Sequence, residues 1–121
     1  MNPRIVWEDR GVHCAFTGDV VYRDINSALL EINQHENYVD FKYTIYDFSA
    51  ATTVAVADGY ITKMLAHTLG AAYSNPGMKT ALIGSNIDHV AVAETLKSKS
   101  RRPTELLMSL QEARTWLDAA A

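Results

Sequence analysis

Tyr43-Thr-Ile-Tyr-Asp-Phe-Ser49 runs straight into Ala50-Ala-Thr-Thr-Val-Ala-Val-Ala-Asp-Gly59, and this stretch decides the fold. The first part is apolar at successive positions, as a strand covered on both faces requires. The second part is small and nearly uncharged, and its Asp58-Gly59 leads into a helical pattern. An apolar strand that hands over to a helix is the unit of an open α/β sheet, whose ligands settle outside the carboxyl ends of the strands.

Working outward, the pattern alternates. Ile5-Val-Trp7 and Val12-His-Cys-Ala-Phe-Thr17 are β-branched and aromatic runs flanking Glu8-Asp-Arg-Gly11, a hairpin signal, and Gly18-Asp19 is read as the close of the second strand. From Asp24, the residues Ile25, Ala28, Leu29 and Ile32 share one helical face. A polar break at 34–40 precedes the strand Lys42–Ser49. A second helix is expected from about Val56 to Ala72, stopped by Ser74-Asn-Pro-Gly77. Lys79-Thr-Ala-Leu-Ile-Gly84 reads as a buried strand, and Asp88 caps a third helix with Val92 and Leu96 turned inward. Glu105–Met108 is a last short strand. Ser109-Leu-Gln-Glu112 has capping-box spacing, ahead of a closing helix with Leu110, Ala113, Trp116 and Leu117 on its buried stripe. The order is ββαβαβαβα. It implies a mainly parallel sheet of about five strands with an antiparallel edge strand, carrying about four helices.

The composition fits one domain spanning residues 1–121. Hydrophobic residues make up 48% of the chain and charged residues 21%, which is globular rather than disordered. A net charge of −3 argues against a nucleic-acid partner, which needs a clustered positive face. No apolar run approaches the roughly 20 residues of a membrane span. One cysteine, Cys14, fits a reducing, cytoplasmic setting.

Taken together, the hairpin, Gly18-Asp-Val-Val-Tyr-Arg-Asp24, Tyr46-Asp-Phe-Ser49, Lys79-Thr-Ala-Leu-Ile83 and Glu112-Ala-Arg-Thr-Trp-Leu117 resemble the SpoIIAA-like branch of the STAS domain family over nearly the whole chain. The resemblance implies a small sheet with helices on it, related to anti-sigma factor antagonists and, more remotely, to CRAL-TRIO lipid carriers. Antagonists of that kind carry a phosphorylatable serine in an Asp-Ser-Ser-Gly motif about ten residues beyond the strand end. Counting from Asp47 puts Ala57 at that place, and matching the glycine to Gly59 puts Asp58 there. Neither has a hydroxyl. Asp58 could serve as a permanent charge, weaker than a phosphate, or simply as a first-turn acid.

No other chemistry is spelled out. The chain has no G-x-S-x-G elbow, and a hydrolase built on Ser49 or Ser85 would need a histidine within hydrogen-bond reach. His13, His35, His67 and His89 are nowhere closer than 22 residues apart (13 to 35, 67 to 89), without a metal-ligand spacing. No phosphate loop is present, so no cofactor and no metal are expected, and no enzyme activity. Cys14 beside His13 reads as an inert packed thiol, and the basic run 97–102 as a solvated helix end. The site expected is a binding surface at the strand ends: Phe48, Ser49, Thr53, Val56, Asp58, Tyr60, Ile61, Met64 and Ser85. It would meet another protein, or a second copy as a homodimer, through residues 51–64. The alternative is a carrier or sensor of a small apolar, lipid-like ligand.

Overall fold

The strand that opens the sequence argument occupies the middle of the sheet. In the computed structural model, which describes residues 3–55, 77–84 and 103–119, five strands lie in the order β1-β2-β3-β4-β5. They are β1 (Arg4–Trp7), β2 (Gly11–Val21), β3 (Tyr43–Ala55), β4 (Lys79–Ile83) and β5 (Thr104–Leu107). The β1–β2 pair is antiparallel and every other pair is parallel. This is the mainly parallel sheet with an antiparallel edge that the alternating pattern implies.

Helix α1 (Tyr22–Asn33) and helix α2 (Leu110–Ala119) cover opposite faces. Ile25, Ala28, Leu29 and Ile32 of α1 are buried on Val12, Cys14, Phe16, Val20, Tyr46, Phe48 and Leu82. The Phe16 and Phe48 rings stack there with centroids 4.6 Å apart. On the other face, Ala113 of α2 is buried, and Leu110, Trp116 and Leu117 pack on Ile45, Ala81 and Ile83. Both helical stripes therefore fall where their periodicity puts them. Of the four helices expected, these are the first and last. The two expected at 56–72 and after Asp88 lie outside the described residues. A short 3₁₀ turn (Tyr38–Asp40) occupies part of the polar break before β3. Among the described residues, no helix is long and apolar enough to cross a membrane.

The helix ends are set by side chains close in sequence. Asp24 accepts the backbone N–H of Val21 at 3.0 Å, which starts α1 two residues earlier than the apolar stripe suggests. At α2, Ser109 Oγ accepts the N–H of Glu112 at 3.1 Å. Glu112 in return accepts from Met108 N–H at 2.8 Å, one residue before the donor of an ideal capping box. Its binding of that N–H accompanies a β5 that ends at Leu107, with Met108 in the exposed turn. At the far end of α2, the Lys79 ammonium donates to the Leu117 carbonyl at 3.3 Å, a cation where the dipole is negative.

Two strand ends differ from the sequence reading. β2 does not close at Gly18-Asp19 but continues to Val21, and β3 runs past Ser49 to Ala55. The cause is mutual pairing: Thr17–Val21 and Ala50–Ala55 form a parallel ribbon, with register shifts between Ala15 and Thr17 and between Gly18 and Asp19. Gly18, at φ 62°, takes the left-handed backbone that one of these irregularities needs. The β-branched Thr52-Thr-Val54 supports extended backbone once a partner strand is available.

Gly11, the first residue of β2, has Tyr43 directly over it. A Cβ there would sit 2.5 Å from the Tyr43 ring carbons. Gly11→Ala must displace the ring and is expected to destabilise the protein by about 1–3 kcal/mol. In urea unfolding this appears as a lower midpoint at unchanged slope.

Candidate functional site

β4 pairs with β3 only from Tyr43 to Asp47. Beyond Asp47, among the described residues, β3 continues with β2 alone as an overhang at the carboxyl ends of the parallel strands. Its side chains Thr17, Asp19, Ser49, Thr52 and Thr53 are exposed. Thr53 Oγ1 donates to Asp19 Oδ1 at 2.7 Å between residues paired in the register.

Asp47 marks the root of this overhang. Its side chain is nearly buried, on the face covered by α2, beside Ala15 in the register. One carboxylate oxygen accepts both the backbone N–H of Ser49 at 3.0 Å and the Ser49 hydroxyl at 2.6 Å. An aspartate that binds the N–H two residues on bends the chain locally, and it does so where the β2–β3 register slips. The other oxygen lies 3.0 Å from His13 Nε2. Burial pushes the Asp47 carboxyl up, but the Ser49 hydroxyl, the Ser49 N–H and His13 together outweigh it and hold it below the usual range.

That geometry restricts the chemistry. In a Ser-His-Asp triad the imidazole sits between the serine and the carboxylate and removes the serine proton. Here the carboxylate sits in the middle, and Ser49 and His13 bind opposite oxygens of it. A carboxylate held below its ordinary range is also a weak base for a serine hydroxyl. Asp47, Ser49 and His13 are thus organised to fix the strand end and present a hydroxyl, not to generate a nucleophile. Among the described residues, no group of three metal-binding side chains comes together.

A second polar cluster lies on the same face and ties the chain's ends together. Arg114 of α2 grips Glu8 in the hairpin turn with two bonds, 2.7 and 2.6 Å, and the Tyr43 hydroxyl donates to the same carboxylate. The Arg114 bonds pull the Glu8 carboxyl down from its ordinary 4.5 to about 2, against burial, with Tyr43 contributing. Burial and the Glu8 charge push the Tyr43 phenol up, and Glu8 pushes the Arg114 guanidinium up.

Of the residues expected at the site, Ser49 and Thr53 stand exposed on the overhang. Phe48 points to the opposite face and is buried against Phe16. Val56, Asp58, Tyr60, Ile61, Met64 and Ser85 lie outside the described residues. His13, Asp47 and Asp19 join the site although sequence reasoning did not select them. The Asp47-x-Ser49 spacing is a readable turn signal, whereas the partners His13 and Asp19 are each 34 residues from theirs and carry none. Cys14, next to His13, turns to the α1 side and is fully buried; burial, with the Glu31 charge adding, pushes its thiol up to about 12.

No protein-family model matches the sequence, and no curated protein is significantly similar to it. Solved structures are another matter. The anti-sigma factor antagonist SpoIIAA in its unphosphorylated form superposes with a TM-score of 0.66, covering 98% of this chain and 99% of that one. The chain has the SpoIIAA-like STAS fold. An uncharacterised SpoIIAA-like protein of the DUF3478 family from Shewanella loihica matches with a TM-score of 0.61, covering 95% of this chain and 91% of its own. Bacillus SpoIIAA in its phosphorylated form matches with 0.59, over 95% and 98%. Identities are 10%, 12% and 11%, so what this chain shares with SpoIIAA is the backbone.

The Glu8 clamp has a pH signature. A carboxyl whose folded value lies below its unfolded one adds stability above about pH 4.5, and loses it as pH falls toward about 2. Asp47 acts in the same sense. Glu8→Gln is expected to lower stability at pH 7 by about 1 kcal/mol, a modest value because Arg114 stays partly in water. Its loss between pH 4.5 and 2 should be shallower than in the wild type, read from denaturation midpoints across that range.

Proposed function

We propose that this SpoIIAA-like chain is a non-catalytic regulatory module that works by binding a partner protein at the carboxyl-end overhang. The observation that carries the reading is the backbone likeness to an anti-sigma factor antagonist over 98% of the chain. The carboxylate-centred arrangement of Ser49, Asp47 and His13 supports it, since it stabilises an exposed strand end without activating a nucleophile. The binding surface comprises Ser49 and Thr53 on the overhang and continues through the segment 51–64 with Val56, Asp58, Tyr60, Ile61 and Met64. Ser85 is included in the proposed surface, and Phe48, buried on the opposite face against Phe16, is not. Bacillus SpoIIAA has a phosphorylated form. In our reading this chain has no such switch at the matching place, because Ala57 or Asp58 stands there.

Two experiments address this. Ser49→Arg with Thr53→Arg adds bulk and charge on exposed positions, so circular dichroism should not change. A protein that copurifies with the tagged wild-type chain from its native cells should bind the double variant at least about tenfold more weakly. Equal retention would place the contact elsewhere. A serine-directed fluorophosphonate should leave Ser49 unlabelled. Stoichiometric labelling would overturn the non-catalytic reading.

A further inference from the structure

The outer edge of β1 carries an instruction of its own. The N–H of Glu8 donates to the Gly11 carbonyl at 2.8 Å, and the same ladder pairs Val6 with His13 and Arg4 with Ala15. Hydrogen-bonded pairs alternate in an antiparallel ladder. Arg4, Val6 and Glu8 therefore direct their peptide groups toward β2, and Ile5 and Trp7 direct theirs outward. Among the described residues no strand pairs on that side. Natural sheet edges are blunted by charge, proline or brevity. β1 is short, is preceded by Pro3 and begins with Arg4, yet it leaves Val6 39% exposed on the α2 side and Trp7 40% exposed on the α1 side.

We propose that this edge pairs with the same edge of a second copy, antiparallel, about a twofold axis through Val6. A twofold axis perpendicular to a sheet keeps each face with its like, so a residue of β1 must lie on it; Arg4 there would meet Arg4, a like-charge pair, which leaves Ile5, Val6 and Trp7. Centring on Ile5 sets Trp7 against Pro3, which has no N–H to donate. Centring on Trp7 sets Arg4 against Arg10, a like-charge pair. Centring on Val6 lets Ile5 and Trp7 of the two copies exchange both backbone bonds, twice by symmetry. It also sets Val6 against Val6 and each Arg4 against Glu8 of the other copy, with exposed Asp9 alongside. Glu8 already accepts two bonds from Arg114 and one from Tyr43, which leaves one of a carboxylate's roughly four acceptor sites for a second guanidinium. On the α1 side, Trp7, whose ring packs tilted against His35 with centroids 4.2 Å apart, covers Ile5 of the other copy. The strand is short, so the interface is small and the dimer weak and concentration-dependent. This inference does not depend on the partner surface at the overhang.

Sedimentation velocity on the full chain from about 1 μM to about 1 mM tests it, the range of weak affinities. A reversible monomer–dimer equilibrium is expected. Val6→Lys puts two ammonium groups together on the axis and should weaken the dimer at least about tenfold, with an unchanged far-ultraviolet spectrum. Val6→Cys should form a disulfide-linked dimer on mild oxidation, since opposed Cβ atoms at such a position come within about 5 Å. A monomer at every concentration overturns the proposal. So does a dimer that Val6→Lys leaves intact, or a Val6→Cys chain that stays reduced.

Discussion

The parallel pairing of β2 with β3 is the constraint on which the rest of the molecule depends. It places a strand with apolar side chains on both faces at the centre of the sheet, so a helix must cover each side. It also runs longer than the β3–β4 pairing, which ends at Asp47. Everything distinctive at the carboxyl end follows from that difference in length. Among the described residues, the ribbon past Asp47 has a partner strand on one edge only, and its side chains change from mostly buried and apolar to exposed hydroxyls and a carboxylate.

Asp47 joins the two regimes. One carboxylate binds the turn residue Ser49 and the neighbouring strand's His13, so the local bend and the strand pairing share a single anchor. The hydrogen bonds that keep it charged against burial also remove it as a proton acceptor. The same contacts thus anchor the strand end and hold the serine hydroxyl to a carboxylate instead of to the histidine. Structure and the proposed binding role converge at this point, because a surface meant for recognition benefits from fixed hydroxyls more than from reactive ones.

The Glu8–Arg114–Tyr43 cluster does a different job on the same face. A hydrogen-bonded ion pair between residues 106 positions apart closes the molecule, joining the hairpin that begins the described chain to the helix that ends it. Tyr43 reaches the cluster with its ring against Gly11, where a side chain has no room. A backbone requirement in β2 therefore supports an electrostatic contact between a turn and a helix.

The parts of this protein that the sequence determined by itself are those with a local physical cause. The stripes of α1 and α2 follow from a 3.6-residue period: α1 buries the residues that period selects, and α2 buries Ala113 and packs half-buried Leu110, Trp116 and Leu117 on the sheet. The Ser109-x-x-Glu112 cap follows from side chains reaching backbone within four residues, and the hairpin with its edge strand from a polar break at Gly11. At the site, Ser49 was legible at a strand end, whereas Thr53 was expected in the segment beyond that end and lies exposed on the continued strand. Phe48 was not legible as core, since its face depends on the register with Phe16. The tertiary structure alone decided that Ala50–Ala55 is strand and not loop: small residues have no strong preference until Thr17–Val21 supplies hydrogen bonds. It also decided that His13 meets Asp47, Asp19 meets Thr53 and Arg114 meets Glu8. Those contacts join residues 34 to 106 positions apart, and no local period or spacing encodes which distant side chains a parallel register will bring together.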